Sequence, residues 1–160
     1  MNLSTFNFQF SILILNGPNL NRLGKRKPEI YGTRTMAQIL LDIQRQWPEV
    51  HFVYRQSNHE GDLIDWIQNL SPTLPSREGE EEISGIVLNA GGYSHTSVAL
   101  RDAVDECEVP VVEVHISDIY KREPFRRNSL LTDVCAHSII GEGTDGYLLG
   151  VEWLLDTLKS

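Results

Sequence analysis

Cysteine is scarce: Cys107 and Cys135 are the two in 160 residues. Two thiols cannot build a disulfide framework or a four-thiolate zinc site, so both are read as buried or idle. Positive charge is also short. Fourteen Lys and Arg stand against 22 Asp and Glu, a net charge of -8. That excludes a nucleic acid or an anionic membrane held through bulk charge. The lysines are Lys25, Lys27, Lys121 and Lys159. None lies inside an apolar strand pattern, where burial would make its amine a nucleophile, so Schiff-base chemistry lacks a candidate. The longest apolar run, Ile12–Leu15, falls far below the ~18 residues of a membrane span. Met1 to Phe10 holds no basic residue and no cleavage pattern of a secretory signal, so a cytoplasmic setting is expected. No internal repeat at a solenoid period is present.

What is present is a regular alternation. The length fits one domain of the usual ~100–200 residues, residues 1–160 with a structured core over about 10–158. Ser71 to Ser84, with two prolines and four acids, reads as a solvated surface connection. Short, mostly β-branched apolar segments cover Phe10–Leu15, Val50–Tyr54, Ile83–Leu88, Val109–Val114 and Ser138–Ile140. They read as strands buried on both faces. Thr35-Met-Ala-Gln38 is a capping box before Ile39, Leu40, Ile43 and Trp47, with Pro48 as the stop. Ser57-Asn-His-Glu60 repeats the box before Leu63, Ile64 and Ile67. Further helices are expected from about Thr96 to Glu106, where Thr96 or Ser97 supplies the cap, and from about Gly146 to Leu158. A short, weak helical signal covers Arg122 to Val134.

Five strands alternating with helices imply a parallel α/β sheet. The compact solution is doubly wound and flavodoxin-like, with order 2-1-3-4-5. Ligands in such sheets bind outside the carboxyl ends of the strands, near the switch point between strands 1 and 3. Three of those ends are long and polar: Asn16 to Gly32, Asn89 to His95, and His115 to Arg127. Crossover loops usually take ~2–6 residues, and longer ones are commonly functional. Polar groups from distant positions therefore converge on one crevice, which points to an enzyme. Gly141-Glu-Gly-Thr-Asp-Gly146 matches G-x-G-x-x-G, but 14 residues follow Gly146 and none forms a strand with the acid a dinucleotide site needs. Tight strand-to-helix packing is the better reading. A flavin module of this fold stays open on the pattern alone. A phospho-receiver would need clustered acids after strand 1, where Asn16 and Asn19 stand instead.

The runs NGPNLNRLGKRKPEIYG, QSNHEG, LNAGGYSHTSVALRDA and EVHISDIYKREPFRR resemble the type II 3-dehydroquinate dehydratase family, in one order over nearly the whole chain. The resemblance implies a flavodoxin-like hydro-lyase that converts 3-dehydroquinate to 3-dehydroshikimate through an enolate, without metal or cofactor. It also implies trimers that assemble into a dodecamer. Asp118 departs from the family's HISN run, where Asn is expected.

The resemblance also implies roles. Tyr31 is the base that takes a proton beside the ketone, and Arg26 is its activating cation. A free Tyr titrates near 10, and making it useful near pH 8 needs about 2.7 kcal/mol. A cation at ~4 Å in an effective dielectric of 20 supplies up to about 4 kcal/mol. His115 is the acid at the leaving hydroxyl. Glu113, two residues earlier and on the same strand face, orients its ring. Asn19 holds a water against the enolate oxygen. Asn89, His95, Ile116, Ser117 and Arg126 bind substrate, Arg126 gripping the carboxylate in two places. Arg122 helps close the lid. Asp102 reaches the neighbouring subunit's site. From the residues alone, Tyr31 could equally pack its ring, His115 could be a satisfied core histidine, and Asn16 and Asn19 could simply form the turn beside Gly17-Pro18. Arg122, Arg126 and Arg127 could form a solvated face, and Asp102 could be an exposed acid. Glu113, His95 and His115 could in principle hold a metal, but the lack of a third nearby histidine and the resemblance both argue against it.

Overall fold

A computed structural model of the chain describes residues 8–70 and 82–160. Most of the expected Ser71–Ser84 connection lies outside the described residues. Five strands, β1 (Ser11–Asn16), β2 (His51–Gln56), β3 (Gly85–Asn89), β4 (Val111–His115) and β5 (His137–Ile140), form one sheet. The order is β2-β1-β3-β4-β5 and every pair is parallel. This is the flavodoxin-like order that the alternation predicts.

The sheet is buried by the two-residue period of its strands. On β1, Ile12 and Ile14 face one core with Val112 and Val114. Leu13 and Leu15 face the other with Ile86 and Leu88. Helices α2 (Met36–Gln46) and α5 (Asp145–Lys159) cover the first face through Ile39, Ile43, Val151 and Leu154. Helices α3 (Glu60–Asn69) and α4 (Val98–Glu106) cover the second through Leu63, Ile67, Leu100 and Val104. Each such side chain contributes about 1.5–3 kcal/mol on burial. The short α1 (Pro28–Tyr31) lies in the connection after β1.

Three expectations need correction. Burial on both faces holds for β1, β3 and β4, but β2 is half-buried and β5 partly exposed, because edge strands have one neighbour. The Thr35 box forms, with Thr35 Oγ1 accepting from Gln38 N and Gln38 Oε1 accepting from Thr35 N. The second box does not. His59 is the N-cap of α3, while the Ser57 hydroxyl donates to Asp62 at 2.6 Å and accepts from His59 N at 2.9 Å. No α-helix spans Arg122 to Val134. One 3-10 turn, Ile119–Lys121, precedes the span and another, Pro124–Arg126, lies within it. The chain is then anchored by Leu130 N–H on Ser94 O and by Arg101 on Leu130 O, so tertiary bonds replace the helical ladder.

Gly146 bears out the packing reading of the glycine run. A Cβ there would meet Val114 Cγ1 at 3.0 Å, so α5 starts hard against β4.

Candidate active site

β1 and β3 end side by side, with Asn16 opposite Asn89. Gly17 N–H donates to Asn89 O at 2.7 Å. A Cβ on Gly17 would lie 2.4 Å from Ala90 O, so only glycine lets the two loops meet this closely. Beneath them runs a buried polar chain. Asn89 Nδ2 donates to the Tyr147 hydroxyl (3.0 Å), which donates to Asn16 Oδ1 (2.8 Å). Burial pushes the Tyr147 phenol up, so it remains a neutral donor. This layer fixes the floor on which the site is built.

The connection after β1 is tightly wound. Asn19 takes the left-handed conformation (φ 69°) and its N–H donates to Asn58 Oδ1 at 3.0 Å. Lys27 is also left-handed (φ 35°) and Pro28 starts α1, pre-set for the first helical position. Three residues after Pro28 the turn delivers Tyr31, half-buried, to the crevice. Two cations hold it. Arg122 Nη1 donates to the phenol oxygen at 2.8 Å and to Ser117 Oγ at 3.3 Å. Arg26 lies over the ring face, its Cζ 4.7 Å from the centroid. The expectation made Arg26 the activating cation and Arg122 a lid residue; in the structure Arg122 is the one that donates to the phenol oxygen. The turn that presents Tyr31 stacks Arg26 on the ring and leaves the oxygen to an arginine 91 residues further along the chain.

β4 carries the second half. His115 is 6% exposed and Glu113 behind it 1%. His115 Nε2 stands 2.9 Å from Glu113 Oε2. Burial pushes the Glu113 carboxyl up. Hydrogen bonds from His115 and Thr132, the His115 charge and a bond from Ser138 outweigh this and hold it at about 2. A carboxylate only accepts, so Nε2 carries the proton of that bond and Nδ1 is the nitrogen left over.

His95 stands next to it, with ring centroids 6.0 Å apart. Its Nδ1 lies 2.8 Å from Asn128 O. Burial lowers its pKa, the Asn128 bond works against that, and His115, Arg126 and Arg122 lower it further. A neutral ring that donates through Nδ1 leaves Nε2 as an acceptor for a hydroxyl.

One crevice is lined by Arg26, Tyr31, Asn89, His95, His115, Ile116, Ser117, Arg122 and Arg126, with Leu20, Gly91, Gly92 and Ile119. Arg126 Nε pairs with Glu123 at 3.1 Å. The sequence reading missed Leu20, Ile119 and the two glycines as wall residues. Gly91 takes a positive φ (+59°), and a Cβ there would lie 3.0 Å from Pro18 O. Asn19 and Asp102 are exposed and outside the lining, Asp102 on the outer surface of α4. Asp118 also stays out. It caps the turn after β4 by accepting from Tyr120 N at 3.1 Å, a task Asn performs equally well.

Glu113, His95 and His115 do not aim free lone pairs at one point, since the first and third bond each other and His95 Nδ1 is engaged. Among the described residues no three His, Cys, Asp or Glu side chains gather as metal ligands. The four lysines are exposed and none lines the crevice.

Fold and crevice together define a flavodoxin-like α/β protein with a phenol and an imidazole converging on one small polar pocket. The comparisons give the family. Residues 10–155 match the model of dehydroquinase class II. The 3-dehydroquinate dehydratase of Chlorobaculum tepidum is 48% identical over 145 residues, 91% of this chain and 93% of that protein. The one from Bacillus subtilis is 49% identical over 145 residues, 89% of this chain and 92% of that protein. The crystal structure of type II dehydroquinase from Butyrivibrio crossotus superposes with a TM-score of 0.83 at 37% identity, covering 91% of this chain and 97% of that one. The chain belongs to the class II dehydroquinase family.

Proposed function

We propose that the chain removes water from 3-dehydroquinate to give 3-dehydroshikimate, in the shikimate pathway or in quinate breakdown. Family membership supports the reaction, and the Tyr31–Arg122 contact is the observation that carries the mechanism. The C–H bond beside the ketone is weakly acidic, so its removal needs a base and a stabilised enolate. Tyr31 is that base. A guanidinium donating to its oxygen at 2.8 Å favours negative charge there, and Arg26 over the ring adds a second cation. The pair of electrons released from carbon becomes the enolate. Asn19 holds a water toward its oxygen, from just beside the crevice wall residue Leu20.

His115 then protonates the departing hydroxyl through Nδ1, its other nitrogen being fixed by Glu113. The C–O bond breaks, the enolate electrons form the new double bond, and water leaves. His95, Asn89, Ser117 and the Ile116 backbone meet the substrate's polar edge. Arg126 takes the carboxylate, where a planar fork matches two oxygens. The residues supply acid, base and charge themselves, so no metal or cofactor enters the scheme.

Homo-oligomeric trimers packed into a dodecamer, and a cytoplasmic setting, belong to the same proposal. An exposed Asp102 on α4 is free to meet a neighbouring copy. Asp102→Ala is expected to weaken turnover and leave the fold intact, with light scattering reporting the assembly.

The direct test adds 3-dehydroquinate and follows the absorbance of the conjugated enone. Product should form after EDTA treatment, and borohydride with substrate should trap no adduct on lysine. Inactivation by EDTA that zinc restores, or a trapped lysine adduct, contradicts the scheme.

A further inference from the structure

The Glu113 carboxylate is held by more than His115. Its Oε2 accepts from His115 Nε2 at 2.9 Å and from Ser129 Oγ at 2.8 Å. Its Oε1 accepts from Thr132 Oγ1 and from Ser138 Oγ at 2.7 Å. A carboxylate has about four lone-pair sites, and here each oxygen takes two donors. Three of the four are hydroxyls drawn from the segment before β5 and from β5 itself. A buried carboxylate needs donors to stay charged, but one donor beside His115 would serve the lone oxygen. Three exceed that need.

We propose that Ser129, Thr132 and Ser138 form a hydroxyl clamp that positions Glu113 and limits its pull on the imidazole proton, making them positioning residues for His115. Four donors on one carboxylate compete for the same electron density, so each bond is weaker than it would be with fewer. The clamp fixes the carboxyl plane so that Oε2 meets Nε2, which turns Nδ1 toward the crevice. It also keeps Glu113 a poor proton acceptor, in line with a carboxyl held at about 2. The acidic proton then leaves through Nδ1 to the substrate and is not drawn back toward Glu113. The kinetic part of this inference rests on His115 being the acid of the dehydration. The hydrogen-bond part does not.

The test reads both parts. Thr132→Val and Ser138→Ala each delete one hydroxyl with little change of shape, and Thr132→Ser keeps it. The proton NMR resonance of His115 Nε2–H, identified by its loss in His115→Gln, needs no substrate. With a donor removed, Glu113 accepts more strongly and this resonance moves downfield. With 3-dehydroquinate, kcat falls about threefold to tenfold at unchanged KM. Thr132→Ser restores both values. If Thr132→Val does not fold, Ser138→Ala carries the same reading. A resonance and a kcat at parental values in a folded variant overturn the clamp, even if thermal stability drops, because that is the outcome of a purely structural role. Failure of the parent protein to dehydrate 3-dehydroquinate would instead strike the proposed function, and the resonance would still report on the clamp.

Discussion

The two halves of the crevice are built differently. Glu113 and His115 sit on a central strand, buried, with every acceptor site of the carboxylate filled. Tyr31 sits half-buried on a four-residue turn with exposed neighbours, and is held by two guanidiniums. In the proposed scheme the acid must be oriented by its surroundings, because an imidazole has two nitrogens and only one can serve the substrate. The base must gather positive charge, because a phenol is otherwise a weak one. Rigidity serves the first need, and a charged, partly open setting serves the second. Substitutions in the two regions should therefore separate: those around Tyr31 cost turnover with little stability, and those around Glu113 cost both.

The largest effect is expected for Tyr31→Phe. It removes one hydroxyl from a half-exposed turn, so the melting temperature should hardly move. Turnover should fall by about 10²–10⁴, the usual worth of a general base, with KM little changed. A kcat above about a tenth of the parent's would assign the base elsewhere. Next is Arg122→Ala, which takes the donor from the phenol oxygen and should lower kcat by about 10²–10³. Arg122→Lys should recover only part, since a point charge cannot serve Tyr31 and Ser117 together. Arg26→Ala should cost less than Arg122→Ala, because Arg26 meets the ring and not the oxygen. Steady-state kinetics of the three variants orders them.

On the acid side the readout is stability against pH. A carboxyl moved from 4.5 to about 2 corresponds to about 3 kcal/mol of stability. Its folded value is depressed, so this stability is fully present above 4.5 and is lost as the pH falls from there toward 2. Glu113→Gln should flatten that part of the curve, as measured by urea unfolding at a series of pH values. A parental acid limb in Glu113→Gln would show that the carboxylate is not held as described. The smallest effect is expected for Asp118→Asn. Either side chain caps the turn after β4, so activity and stability should stay within about 0.5 kcal/mol of the parent.

The sequence made the sheet readable because its strands are short, apolar and β-branched, and because Thr35 and Gln38 announce their helix. It misled at Ser57, whose hydroxyl prefers the nearby Asp62 carboxylate and the His59 N–H to the first turn of α3. It misled again after β4, where a short helical signal covers Arg122 to Val134 and tertiary hydrogen bonds supply the alternative. The polar strand ends located the crevice, and the motif runs named most of its wall. What spacing could not reveal is which of two arginines meets the phenol oxygen. Arg26 is near Tyr31 in sequence, but the turn stacks it on the ring, and Arg122 arrives from the connection after β4, 91 residues further along the chain. Ser129, Thr132 and Ser138 were equally invisible, since ordinary surface residue types acquire a role only when the fold aims them at one buried carboxylate.

The division of labour between the two regions can be read in one measurement, the exchange of the substrate's acidic C–H proton in D₂O. In the proposed mechanism, removal of that proton belongs to Tyr31, whose partial exposure lets its hydroxyl exchange with solvent, and loss of the hydroxyl belongs to His115. In His115→Gln, 3-dehydroquinate should take up deuterium beside the ketone while forming little enone. In Tyr31→Phe it should take up none above the uncatalysed rate. Exchange that persists in Tyr31→Phe and vanishes in His115→Gln would contradict the account, because it would make the buried imidazole the base.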